Sequence, residues 1–202
     1  KTVILCMGAH ARPLGIPRED ELTGAGISYC ATCDGAFFKE KAVAVVGGGD
    51  TAVSDALYLS RFCSSVTIVH RRDEFRAAAV LVEKAKTVPN IHFALSCVPS
   101  SLIGEKQVEG LEIRSLKNGQ TQVLPVSGVF VAVGITPQTE LVKNIVILNE
   151  AGSIVTDEFM KTNMPGVYAA GDIRNTPLRQ VVTACADGAV AATSALEFIS
   201  CH

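Results

Sequence analysis

The stretch Lys41-Ala42-Val43-Ala44-Val45-Val46-Gly47-Gly48-Gly49-Asp50-Thr51-Ala52 runs an apolar strand straight into a glycine-rich turn. A continuous apolar run of this kind marks a strand buried on both faces, as in a parallel sheet. Beyond the turn, Ala52, Val53, Ala56, Leu57 and Leu59 recur at near-helical spacing and predict an amphipathic helix. Gly47-x-Gly49-x-x-Ala52 is therefore a G-x-G-x-x-[G/A] pattern with a strand before it and a helix after it, the context that holds a dinucleotide. Gly47 permits the tight turn, Gly49 lets a pyrophosphate approach the backbone, and the small Ala52 lets helix and strand pack closely.

A second strand, Val66-Thr67-Ile68-Val69, follows and ends in His70-Arg71-Arg72, with Arg76 just beyond. About 20 residues past the glycines, an enzyme specific for NAD presents an acid to the adenosine ribose. Here the position offers cations, which as helix-turn neighbours would fork onto a 2'-phosphate, and a helix is predicted over about 73 to 87. The expected cofactor is NADPH. The competing reading is a solvated basic helix start, although cations disfavour that position unless an anion visits it.

Ile91-His92-Phe93-Ala94-Leu95 reads as the third parallel strand. From 98 to 126 the pattern alternates, and Lys117-Asn118-Gly119-Gln120 supplies a turn, which predicts an antiparallel meander inserted as a crossover. Gly128-Val129-Phe130-Val131-Ala132-Val133-Gly134 reads as the strand that returns to the parallel sheet. Residues 3 to 7 form another apolar run, expected to be buried on both faces and ending at Gly8. Arg12-Pro13-Leu14-Gly15-Ile16-Pro17 and the charged residues 18 to 21 read as a linker, and Thr136-Pro137 as a second domain crossing. Short strands are expected near 145 to 148 and 153 to 155, then a strand ending in Gly171-Asp172 and a helix from Leu178 to about Ile199. Asp172 would sit where cofactors bind in open α/β folds, or simply in a turn. Arg179-Gln180-Val181 would open the last helix with backbone N–H groups free for a ligand.

Before the glycine turn lies Cys30-Ala31-Thr32-Cys33-Asp34. One helical turn brings i and i+3 together, a separation that suits a disulfide able to close and reopen. A helix N-terminus there would favour the thiolate, and Asp34 could pass protons to it. Half of a zinc site and two buried thiols fit the same spacing, and Asp34 fits a turn or cap equally well. The other cysteines, at 6, 63, 97, 185 and 201, are scattered singly, so no metal is expected.

Composition narrows the classes. The 202 residues are 48% hydrophobic, ample for a core, and the net charge of -2 with dispersed Lys and Arg argues against a nucleic-acid or membrane-surface partner. No unbroken apolar stretch approaches the 18 or so residues of a membrane span. Seven irregularly spaced cysteines point to a reducing compartment, the cytoplasm by default. Lys1 opens the chain in what reads as the middle of a buried strand, so an excised piece is expected.

Together the Cys30-to-Gly35 stretch, the Gly47-to-Val53 turn, His70-Arg71-Arg72-Asp73-Glu74-Phe75-Arg76, Gly128 to Gly134 and Ala170-Gly171-Asp172 with Arg179-Gln180 resemble the low-molecular-weight, bacterial-type thioredoxin reductases. The resemblance implies an α/β protein in which an NADPH-binding Rossmann-like domain, a parallel βαβ sheet plus a meander, is inserted into an FAD domain of which only the later part is present. The implied segments are 1–12 (FAD domain), 13–138 (NADPH domain with the redox pair) and 139–202 (FAD domain). NADPH would be held by Gly47, Gly49, Asp50, Thr51, Ala52, His70, Arg71, Arg72 and Arg76, with Gly134 and Ile135 adjoining. FAD would meet Gly8, Gly171, Asp172, Arg179, Gln180 and Val181.

In that family Cys33 would face the flavin, Cys30 would attack the disulfide of thioredoxin or a similar dithiol protein, and Asp34 would exchange the proton. The parent would be a homodimer. The family usually shows Ala-Thr-Gly where this chain has Cys6-Met7-Gly8, and its first glycine turn, with about a hundred residues of an FAD half, is not found here. The alternatives are a flavin disulfide reductase serving another dithiol carrier or peroxidase system, and an inactive NADPH-binding fragment.

Overall fold

The computed structural model describes residues 1–201, so His202, assigned above to the C-terminal segment, lies outside the described residues. Two short strands come first, β1 (Val3–Leu5) and β2 (Ala9–Ala11). Helix α1 (Glu19–Leu22) and strand β3 (Ile27–Ser28) follow, then the one-turn helix α2 (Ala31–Asp34), continued by a 3-10 turn over Gly35–Phe38. Next are β4 (Ala42–Gly47), α3 (Asp50–Leu59), β5 (Ser65–His70), α4 (Ala79–Lys86) and β6 (Ile91–Leu95). Strands β7 (Cys97–Ile103), β8 (Gly110–Ser115) and β9 (Thr121–Leu124) lead to β10 (Gly128–Ala132). The chain closes with β11 (Ile135–Pro137), β12 (Val167–Ala169) and α5 (Val181–Cys201).

Two compact units result. One is Pro13–Gly134, and the other combines Lys1–Arg12 with the chain from Ile135 onward.

In the Pro13–Gly134 unit a five-stranded parallel sheet has the order β3-β10-β4-β5-β6. The apolar run of β4 is explained by what covers its two faces. Val43 and Val45 pack with Ala52, Val53, Ala56 and Leu59 of α3, while Ala44 and Val46 pack with Leu111 and Ile113 of the antiparallel β7-β8-β9 sheet. Each such fully buried Val or Leu contributes about 1.5–3 kcal/mol relative to exposure. Strands β4, β5 and β6 step outward in one direction and β10 and β3 in the other, so strand order reverses between β4 and β10. That reversal is the topological switch point at which open α/β sheets bind ligands, beyond the carboxyl ends of the strands.

The helix expected over 73 to 87 begins only at Ala79. Tertiary hydrogen bonds hold the preceding loop instead: Arg76 N donates to Gly48 O at 2.8 Å and Ala78 N to Asp50 Oδ1 at 2.7 Å. The charged segment expected to be pure linker holds α1, whose Glu19 is buried. Its carboxylate accepts from Leu14 N at 2.7 Å, Gly15 N at 2.8 Å and Tyr29 Oη at 2.8 Å. Burial, together with the Glu19 hydrogen bond, pushes the Tyr29 pKa up to about 12.

In the other unit β1 pairs with β12 and β2 with β11. Residues 135–137 therefore belong with this unit, not with the 13–138 segment read from the sequence, because Ile135, Thr136 and Pro137 pair antiparallel with Ala11, His10 and Ala9. Strand β1 is not buried on both faces. Val3 is 54% and Ile4 37% exposed, since a two-stranded sheet leaves much of its surface uncovered. The strands expected near 145–148 and 153–155 reduce to bridges joining Leu148 to Ile154 and Ile154 to Arg174. Helix α5 is long and apolar enough to cross a membrane by length and composition. It packs Ala191 and Ala195 with Tyr168, whose hydroxyl donates to Ser194 O at 3.0 Å.

Candidate active site

Within the Pro13–Gly134 unit the parallel register brings the predicted residues to one edge of the sheet. Cys30 follows the end of β3, Gly47 ends β4 and Gly49 follows it, Arg71 and Arg72 follow β5, and Gly134 follows β10.

Cys30 and Cys33 form a disulfide with Cα atoms 5.3 Å apart. Cys30 is the N-cap of α2, in extended conformation, and its Sγ accepts from Cys33 N at 3.1 Å. Helix α2 is a single turn, so the dipole expected to favour a thiolate shrinks to that local N–H contact. Cys33 is exposed and Cys30 half-buried. Asp34 accepts a 2.6 Å hydrogen bond from Ser28 Oγ, and Ser28 Oγ in turn accepts from Cys30 N at 3.1 Å. Sequence reading missed Ser28, and nothing in its spacing singles it out.

The glycine turn has the form a phosphate requires. Gly47 has φ 153°, and a Cβ there would strike Ala132 O, so only glycine fits against β10. At Gly49, the N-cap of α3, a Cβ would meet nothing within 4 Å, and no side chain caps the helix. The N–H groups of the first turn, at Asp50, Thr51 and Ala52, have no partner inside the helix, an arrangement that suits an anion. Asp50 is occupied in bonding Ala78 N.

His70, expected as a nucleotide contact, has a structural place. Its ring is buried beneath Gly48, where any Cβ would collide with it, and it stacks on Phe75 with centroids 5.4 Å apart. Its Nε2–H donates to Glu74 O at 3.1 Å. Burial pushes its pKa down, the Glu74 carbonyl opposes that shift, and the neighbouring Arg76, Arg72 and Arg71 add to it. Arg71, Arg72 and Arg76 are exposed and lie on the loop after β5, Arg76 falling outside the helix predicted to hold it. Among the described residues none of their side chains has a hydrogen-bond or ion-pair partner.

Gly8, Ile135, Gly171, Asp172, Arg179, Gln180 and Val181 lie in the other unit. Gly8 and Gly171 have φ 72° and 77°. Gly171 N donates to Asp187 Oδ2 at 3.1 Å, and Asp187 pairs with Arg174 at 3.2 Å, both side chains being largely buried. This pair escaped the sequence reading because its members are 13 residues apart in chain and lie on different elements. Among the described residues Arg179 Nε is buried without a partner, which fits a site built to receive a polar group. The N–H of Gln180, expected to be free, donates to Thr183 Oγ1 at 3.1 Å, and Val181 is 81% exposed.

The pyridine nucleotide-disulphide oxidoreductase family matches residues 1–188. Over 208 residues the chain is 49% identical to a thioredoxin reductase of Peptoclostridium acidaminophilum, covering 100% of this chain and 66% of that protein. With the thioredoxin reductase of Listeria monocytogenes the identity is 44%, over 98% of this chain and 63% of that one. Among solved structures, a thioredoxin reductase from Streptococcus pyogenes matches with a TM-score of 0.94 at 42% identity, covering 100% of this chain and 66% of that one. The chain thus spans slightly less than two thirds of the length of the curated relatives it matches.

Proposed function

The chain belongs to the pyridine nucleotide-disulphide oxidoreductases, and on that premise we propose that it carries the NADPH site and the redox disulfide of a thioredoxin-disulfide reductase. The observation that carries this reading is one sheet edge presenting both a Cys30–Cys33 disulfide exposed at Cys33 and a glycine turn followed by three guanidinium groups unpaired among the described residues. When bound, NADPH would supply a hydride, and FAD would supply the carrier through which its two electrons reach the disulfide.

The chain's own residues position and protonate. Gly47 and Gly49 admit the pyrophosphate to the first turn of α3, and Arg71, Arg72 and Arg76 hold the 2'-phosphate. His70 supports that turn from below. Two electrons and two protons open the Cys30–Cys33 bond, with Cys33 as the sulfur that would face the flavin, Cys30 as the one that would attack the partner disulfide, and Asp34 as proton donor and acceptor. The dithiol then passes both electrons to the disulfide of thioredoxin and closes again. Gly8, Gly171, Asp172, Arg179, Gln180 and Val181 contribute to the FAD site, where the unpartnered Arg179 Nε supports a polar contact. The proposed setting is the cytoplasm.

The test is NADPH-dependent reduction of an aromatic disulfide dye by the 202-residue chain, with and without added FAD and thioredoxin. Turnover that needs both is the expected result. Measurable NADPH binding with no turnover under any combination would count against reductase activity in this chain and leave the nucleotide-binding reading.

A further inference from the structure

We propose that the Ser28 hydroxyl is a two-position hydrogen-bond donor that keeps Asp34 and the Cys30 backbone in register whether Asp34 holds a proton or not. This inference rests on the disulfide-exchange reading above and assigns the residue that positions its proton carrier.

Ser28 ends β3, is paired with Phe130 of the central strand β10, and is only 4% exposed, so its side chain has a fixed origin. Its Oγ meets three groups: Asp34 Oδ2 at 2.6 Å, Cys30 N at 3.1 Å and Cys30 O at 3.3 Å. A hydroxyl has one hydrogen and two lone pairs. One lone pair accepts from Cys30 N–H in either state. With Asp34 ionised, the hydroxyl hydrogen goes to the carboxylate, the stronger acceptor, and Cys30 O is merely nearby.

With Asp34 protonated, the carboxyl becomes the donor, the second lone pair of Ser28 accepts from it, and the hydroxyl hydrogen turns to Cys30 O. Both arrangements satisfy every buried polar group with no backbone movement. Cys30 is the N-cap whose Sγ takes Cys33 N–H, so holding its backbone also holds the sulfur.

The relevant step can be driven by dithiothreitol. Its thiolate attacks the exposed Cys33 Sγ, the Cys30–Cys33 bond breaks, and Cys30 leaves as a thiolate that takes the proton from Asp34. The reagent's second thiolate then closes its own ring disulfide and releases Cys33. Two electrons pass from reagent to protein, and Asp34 regains its proton from solvent.

The experiment has two arms on the full chain. In the oxidised wild type, the Cys30 amide proton resonance should titrate with the Asp34 carboxyl carbon, and this response should vanish in Asp34→Asn. In stopped-flow reduction by dithiothreitol, Ser28→Ala removes a donor that favours the ionised carboxylate. With rates expressed per dithiothreitol thiolate, the fall in rate that accompanies loss of the Asp34 proton should move up by about one pH unit, the tenfold effect of losing one charge-assisted hydrogen bond. Ser28→Thr should restore the wild-type profile. In the Asp34→Asn background, Ser28→Ala should shift nothing further, whereas a merely structural loss would repeat itself there.

A wild-type pair that dithiothreitol cannot open and oxidant cannot reclose would overturn the disulfide-exchange reading, and this inference with it. A reversible pair whose Ser28→Ala profile is unmoved, or whose Cys30 amide ignores Asp34, would overturn the inference alone. Should Ser28→Ala fail to fold, the wild-type titration decides by itself.

Discussion

Among the described residues the three guanidinium groups of the loop after β5 have no partner and are available to an anion. Replacing Arg71 and Arg72 together with Ala should weaken NADPH binding at least tenfold, since each charged hydrogen bond contributes about 1.5–3 kcal/mol, and should leave NADH binding unchanged. Titration of both nucleotides by protein fluorescence checks this, and an unaltered preference would remove the phosphate assignment. Asp55, on the half-buried side of α3, lies outside the nucleotide and disulfide machinery. Burial pushes its pKa from 3.8 up to about 6. Its folded pKa is raised, so the stability it contributes is present below pH 4 and is lost as pH rises through about 6. Asp55→Asn should therefore stabilise the chain at pH 7, by on the order of 1–2 kcal/mol once residual solvation is discounted, and the gain should disappear near pH 4. Thermal melts at the two pH values decide it. Asp34 and both cysteines were legible from spacing. Ser28 was not, because its role comes from a hydroxyl meeting a carboxylate six residues away across a strand-to-helix turn.

Between elements, the packing of β5 beneath the glycine turn decides what the loop after it can do. Gly48 admits no side chain because the His70 ring lies where its Cβ would point. Gly48→Ala should force that ring off Phe75 and cost about 1–3 kcal/mol of stability, with a parallel loss of NADPH affinity as the turn shifts. Denaturant melts and nucleotide titration of the variant measure both, and a Gly48→Ala chain of wild-type stability would show that the ring is free to move. The same element pair carries a pH signature. His70 has a lowered folded pKa, so its contribution is complete above pH 6.5 and declines as pH falls from there toward that lower value. The period of α3 was readable because one covered face sets it, and the apolar run of β4 because both of its faces are covered. The start of α4 was not, since Gly48 O and Asp50 Oδ1 hold Arg76 N and Ala78 N out of the helix.

At the scale of the whole molecule, both hydrophobic clusters of the Pro13–Gly134 unit are built from that unit's own residues. Expressed alone, 13–134 should fold cooperatively, re-form the Cys30–Cys33 disulfide and prefer NADPH to NADH. A dispersed amide spectrum with a nucleotide titration tests this, and an unfolded product would mean that its own core is insufficient. By itself the sequence determined the parallel strands, the glycine turn, the meander and the cysteine pair. Each is encoded within a few residues, as a period, an offset between glycines or an i, i+3 spacing. Only the tertiary structure decided the pairing of β2 with β11 across 124 residues, the acceptor role of Glu19, the burial of His70 under Gly48 and the Ser28–Asp34 bond. These depend on which distant backbone and polar groups the fold sets within hydrogen-bonding or van der Waals reach, and a linear pattern does not record that.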